Sequence, residues 1–188
     1  MGDAAWIVGK GDETHTEPVD MHKSDGVNAL VTAQVTHALI HAGKMFTISG
    51  LIEGVADGAA FVLGITIPAG KEVHFVIEGA ATGDAHGHMF ENSTFSGGTL
   101  TTPVNRDRTS SNVLTGYTFA INPTEDVQGD EIFSTFMPGG SKKAAAGSSG
   151  ESFGEWIFGP GSYLLRFENH AGAVATMSAL MTFYEESD

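Results

Sequence analysis

AAFVLGITIPAGKEVHFVIEGAA, residues 59–81, sets the fold class. Its first half is a nearly continuous apolar run that stops at Pro68 and the turn residues after it. A short apolar run bounded by turn signals suits a strand buried on both faces. Its second half alternates, with Val73, Phe75 and Ile77 on one side and Glu72, His74 and Val76 on the other. Strict alternation predicts a strand with one face in a core.

Similar runs lie on both sides. Upstream, KMFTISGLIEGV (44–55) reads as a strand closed by the turn Gly54 to Gly58. Downstream, HGHMFENSTF (86–95), TGYTFAINPT (115–124), EIFSTFM (131–137), EWIF (155–158), SYLLRFENHAG (162–172) and AVATMSALMTFYEE (173–186) follow, separated by turn residues. The segment VNALVTAQVTHALIH (27–41) fits either period. Its β-branched content favours a strand, so His37 and His41, four residues apart, are not expected to align. No segment combines an apolar helical stripe with caps. The expectation is an all-β, antiparallel jelly-roll sandwich of roughly nine or ten strands.

Composition agrees. A chain of 188 residues can bury a core as one domain. With 41% hydrophobic and 17% charged residues it is a folding sequence, and 25 glycines favour many turns. Residues 1–20, with the apolar knot Trp6-Ile7-Val8 and then a polar, acidic stretch, read as an extended N-terminal arm. Residues 21–188 read as the jelly-roll domain. The arm is either a loose terminus or a segment that orders on a neighbouring subunit, with Trp6 as its anchor. The segment PGGSKKAAAGSSGESFG (138–154) reads as a flexible or partner-contacting loop.

Several function classes are disfavoured. A net charge of −14 repels phosphate backbones and anionic lipid, so neither nucleic acid nor membrane is expected as a partner. No apolar run is long enough for a transmembrane helix, and the start lacks the pattern of a secretory signal. Met1-Gly2 opens like a myristoylation site but has Trp6 where Ser or Thr is needed. With no cysteine, disulfides and thiolate metal sites are excluded.

Eight histidines invite a metal reading. His86-Gly87-His88 would point two imidazoles to one face of a strand. With Glu91 they partly match a cupin motif, G-x5-H-x-H-x3,4-E, although Gly79 lies one residue too far upstream. The bland reading, polar positions on a solvated face, is preferred, with a cupin-like metal-binding or glycan-binding jelly roll as the alternative from another class. No G-x-S-x-G elbow occurs. Glu125-Asp126 and Asp130-Glu131 read as a solvated turn after Pro123. The chain is therefore read as a non-enzyme without cofactor.

The charged feature that stands out is TLTTPVNRDRTSSN, residues 99–112, where Arg106 and Arg108 flank Asp107 in a chain with nine Lys plus Arg. Guanidinium groups bind carboxylates bidentately and favour interfaces. The segment reads as a structural clasp joining two strands, its arginines pairing carboxylates within the protomer or across a subunit boundary, with a phosphate or anionic glycan ligand as the functional alternative.

Five short motifs together resemble a family of small virion proteins of tailed bacteriophages: His41-Ala42-Gly43-Lys44-Met45-Phe46; Asn105-Arg106-Asp107-Arg108-Thr109-Ser110; Glu155-Trp156-Ile157-Phe158; Tyr163-Leu164-Leu165-Arg166-Phe167-Glu168-Asn169; and Phe183-Tyr184-Glu185. The resemblance spans roughly residues 37–185. The chain departs from the family at Phe158, usually Leu, at Phe183, usually Trp, and in a longer loop before Glu155. The resemblance implies a capsid decoration (cement) protein that binds the major capsid protein on the outer head and self-associates as a homotrimer. It implies assembly in the host cytoplasm and final residence in the virion. A tail, neck or fibre-base component is the alternative within that class.

Overall fold

The computed structural model describes residues 23–24, 27–28, 35–139 and 151–186. Residues 1–20, with Trp6, and the loop residues 140–150 lie outside the described residues. The chain forms two compact units, Met1–Val35 and Thr36–Asp188. In the first, β1 (Lys23–Ser24) and β2 (Val27–Asn28) pair antiparallel, Lys23 opposite Asn28.

The second unit carries eight long strands: β3 (Met45–Val55), β4 (Ala60–Ile67), β5 (Glu72–Ala81), β6 (Ala85–Glu91), β12 (Asp130–Met137), β13 (Glu151–Phe158), β14 (Gly161–Asn169) and β15 (Ala175–Glu186). Five short ones, β7 (Thr94–Ser96), β8 (Thr99–Leu100), β9 (Val104–Asn105), β10 (Thr118–Ile121) and β11 (Thr124–Val127), lie between β6 and β12. All pairings are antiparallel. One sheet has the order β12-β6-β14-β4-β10-β8 and the other β13-β5-β15-β3-β9. Consecutive long strands therefore lie in opposite sheets, except β6 and β12, which pair within the six-stranded sheet, and the first and last long strands, β3 and β15, lie side by side. The long strands match the runs read from sequence; the excess over nine or ten comes from the short strands.

The inward faces meet in one core. Phe61, Ile65, Phe75, Ile77, Phe167 and Phe183 are essentially inaccessible to water. Phe183 sits among Phe75, Phe119 and Phe46, at centroid distances of 4.7, 5.4 and 6.1 Å. Each such ring contributes about 1.5–3 kcal/mol of burial, plus offset-stacking contacts. β4 is buried on both faces, as its unbroken apolar run predicts. Its outer face is covered by the ribbon β7–β11, whose Phe95 packs against Val62, Phe90 and Leu164. Gly64 permits this, because a Cβ there would stand 2.8 Å from the Phe95 ring.

Three readings are corrected. HGHMFENSTF is two strands, because Asn92 takes a left-handed φ of 55° and turns the chain into the ribbon. Asn122, at φ 49°, does the same on the return, so Glu125-Asp126 lies in β11 and Asp130-Glu131 in β12 rather than in a turn. Residues 151–154 belong to β13 and not to the preceding loop.

A fourth correction is the largest. Val35–His41 is a helix, α1, not a strand. It ends in a Schellman motif: Lys44 N–H bonds Leu39 C=O at 2.9 Å, and Gly43 N–H bonds Ile40 C=O at 2.8 Å. Gly43 supplies the left-handed residue, with φ 65°. Leu39 and Ile40 are half-buried while Thr36, His37, Ala38 and His41 are exposed. The cap and the docking of this short turn outweigh a local β preference worth at most about 1 kcal/mol.

Candidate functional site

The segment 99–112 does join two strands, one in each sheet. β8 pairs with β10 at the edge of the six-stranded sheet, and β9 pairs with β3 at the edge of the other, Asn105 opposite Phe46. Its anchor is not an arginine. Asn105 is only 7% exposed. Its amide donates to Gly43 C=O at 2.9 Å and Asn112 C=O at 3.2 Å, and its Oδ1 accepts from Asp107 N–H at 2.9 Å. Asn112 donates in turn to Gly43 C=O at 3.2 Å and Ala42 C=O at 3.4 Å. Two asparagines thus take up the carbonyls of the turn that follows α1. Contact is close enough that a Cβ on Gly43 would meet Ser110 Oγ at 2.2 Å.

Arg106 follows Asn105 and its N–H bonds Met45 C=O at 2.9 Å. Arg106 and Arg108 are exposed, and among the described residues neither makes an ion pair with a carboxylate. Asp107 closes a small turn, accepting from Thr109 N–H at 2.9 Å and Thr109 Oγ1–H at 2.7 Å. The side-chain and then the backbone bond of Thr109 hold its carboxyl below the ordinary value, with a smaller contribution from His41. The arginine pair drew attention in the sequence because cations are rare. No single-sequence signal links Asn105 to Gly43, 62 positions away.

Four of the five motifs lie in one sheet, three of them on the adjacent strands β9, β3 and β15 and the fourth on β13, beyond β5. Across β9-β3-β15-β5-β13, the register aligns Asn105, Phe46, Phe183, Phe75 and Trp156 in one row. The next row outward aligns Met45, Tyr184, His74 and Ile157, with Arg106 bonded to Met45. Only the Tyr163–Asn169 motif lies in the other sheet, as β14.

Over the second row lies a groove of about 310 Å³, lined by Thr36, Arg106, Tyr184, His74, Glu155 and Glu78, among others. The His74 and Tyr184 rings stack 4.6 Å apart, and His74 Nδ1 lies 3.2 Å from Glu155 Oε1. Around it, the outer face of the five-stranded sheet exposes Leu51, Val76, Val104, Ile157 and Leu180 among serines and threonines. On the inner side, Glu185 bonds Lys71 and accepts from Tyr117 O–H at 2.8 Å. Burial pushes the Glu185 carboxyl up, but its bonds to Lys71 and Tyr117 outweigh that and hold it below its ordinary value. Burial, then the bond to Glu185, push the Tyr117 phenol well up.

The histidines of β6 lie elsewhere, on the outer face of the six-stranded sheet. His86 and His88 do share a face, but Glu91 is at the opposite parity of the strand. His86 lies against His170, with ring centroids 4.2 Å apart, and His88 Nδ1 meets Glu131 Oε1 at 2.9 Å. His170 contacts Glu168 at 3.3 Å. The set His86, His88, Glu91 is therefore not assembled, and among the described residues no three His, Cys, Asp or Glu side chains gather for a metal. None of the helices among these residues is long and apolar enough to cross a membrane.

Compared with protein-family models, curated proteins and solved structures, the chain matches none.

Proposed function

We propose that this protein is a structural component of a tailed bacteriophage particle, a capsid decoration protein that binds the outer head lattice as a homotrimer. The observation that carries this reading is the convergence of the motifs. Residues 41–46, 105–110, 155–158 and 183–185 are scattered through the sequence, yet four strands bring them into adjacent rows at one end of one sheet. Short motifs that matched by accident would have no reason to gather at one end of one sheet.

The finer fold reading supports it. Numbered in chain order, the eight long strands among the described residues form sheets of order 1-8-3-6 and 2-7-4-5, an order that supports the jelly-roll reading. The exposed apolar residues of the five-stranded sheet form the kind of patch that a protein partner covers. Arg106 and Arg108 stand beside that patch with no carboxylate partner among the described residues, which fits a role in pairing acidic groups on a neighbour. In a trimer each pair meets through a heterologous, closed interface. The strongly acidic charge keeps decorated particles apart in solution.

Light scattering on the purified protein, combined with co-sedimentation with undecorated heads, tests the reading. A trimer that sediments with heads is expected. A strict monomer without affinity for heads overturns it.

A further inference from the structure

The sequence leaves one condition open: His37 and His41 align only if their segment is helical. It is helical. Their side chains, four residues apart, leave the same face of α1, and their rings lie 4.5 Å apart, edge to face at 76°. Both residues are exposed. This is the spacing at which a helix offers two imidazoles to one ion, as in zinc-binding H-x-x-x-H helices.

From this geometry we infer that His37 and His41 form a bidentate surface site for one divalent transition-metal ion of the zinc, nickel or copper class. Imidazole nitrogen suits those ions and not magnesium or calcium. With metal–nitrogen bonds of about 2.0–2.1 Å, two nitrogens of a tetrahedral site lie about 3.3 Å apart. Rings already in contact reach that spacing by rotation about side-chain torsions, without a backbone shift. Three further features favour the site. The helix is short but fixed, because the Schellman turn and the amides of Asn105 and Asn112 hold its end. The carboxylate of Asp107 lies within electrostatic reach of His41 and favours a cation there. Solvent reaches both rings, so the remaining coordination positions are open to water or to a donor from a second copy. The other close histidine pair, His86 and His170, already has Glu168 bonded to one ring, and β6 and β14 position it on the far sheet.

The test is a calorimetric titration of the full chain, purified without a histidine tag, with zinc chloride. One ion per chain is expected at this site. Because the second donor acts by chelation, either His37→Ala or His41→Ala should weaken binding by about a hundredfold, with the thermal melt unchanged. His86→Ala should leave binding as it was. Heteronuclear spectra should show the imidazole signals of His37 and His41 moving on addition of zinc. Absence of binding by the native chain overturns the assignment. So does binding that survives both helix variants, or binding that His86→Ala abolishes.

Discussion

Replacing Asn105 by alanine tests the physical core of this account. The side chain is nearly buried and spends three hydrogen bonds on Gly43 C=O, Asn112 C=O and Asp107 N–H. A typical intramolecular hydrogen bond contributes a net 0.5–1.5 kcal/mol or so, and a buried group left unpaired costs about 1–3 kcal/mol. Gly43 C=O keeps its second donor, Asn112, at 3.2 Å, so it is not fully orphaned. Three bonds at the middle of that range, with little added for orphaned groups, give about 3 kcal/mol. For a chain of this size that corresponds to a fall in melting temperature of roughly 6–12 °C. Urea denaturation gives the free energy and calorimetry the temperature. Asn105→Asp is the sharper variant: it keeps the shape and the acceptor but sets a carboxylate against two carbonyls, and should cost at least as much. Arg106→Ala in the isolated protomer should stay within about 0.5 kcal/mol, as exposed substitutions do. If Asn105→Ala matches the native protein, or Arg106→Ala costs as much, the clasp is misassigned.

Gly64→Ala should cost about 1–3 kcal/mol, because its Cβ meets the Phe95 ring at 2.8 Å; adding Phe95→Leu should recover part of the loss in a denaturation midpoint. Glu185→Gln should show a stability gap that depends on pH. The native carboxyl titrates below its ordinary value of 4.5, so its contribution is present above that value and is lost as pH falls through the lowered one. Urea melts of both forms should converge in acid, and a gap of constant size would count against the bond to Lys71 and Tyr117. Tyr117 has the opposite sense. Its raised phenol stabilises the fold below the ordinary value of 10.0, and that contribution is lost as pH rises through the raised value; Tyr117→Phe should flatten the alkaline limb of the melting curve. Deleting residues 1–18 should weaken assembly while the sandwich retains its circular dichroism and melt, and unchanged assembly would make the arm a passive tail.

Most of the sandwich was legible because strand burial is a local, period-two signal. The runs at Phe61–Ile67 and Val73–Ile77 announce a doubly covered strand and a half-buried one, and the structure has both. What was not legible depends on contacts between distant residues. α1 reads as a strand until Gly43 is seen capping it and Asn105 is seen holding the cap. The ribbon that covers β4 depends on Asn92 and Asn122 adopting left-handed backbone, which asparagine does often enough to permit but not to announce. The candidate site was partly legible. Arg106 was singled out and does line the groove, whereas its neighbours Tyr184, His74 and Glu155 are assembled by strand register alone. His37 and His41 lie in the same segment, whose β-branched residues read as a strand, so their alignment on one helix face has no local signal.

Electron cryo-microscopy of tailed-phage particles purified from cells that make this chain bears most directly on the proposed decoration role. Density for the sandwich is expected in three-fold clusters on the outer surface of the head, with the edge bearing Arg106 and the exposed face of the five-stranded sheet buried against neighbours. Density for the chain on the tail or neck, or particles that lack it, would overturn the decoration role.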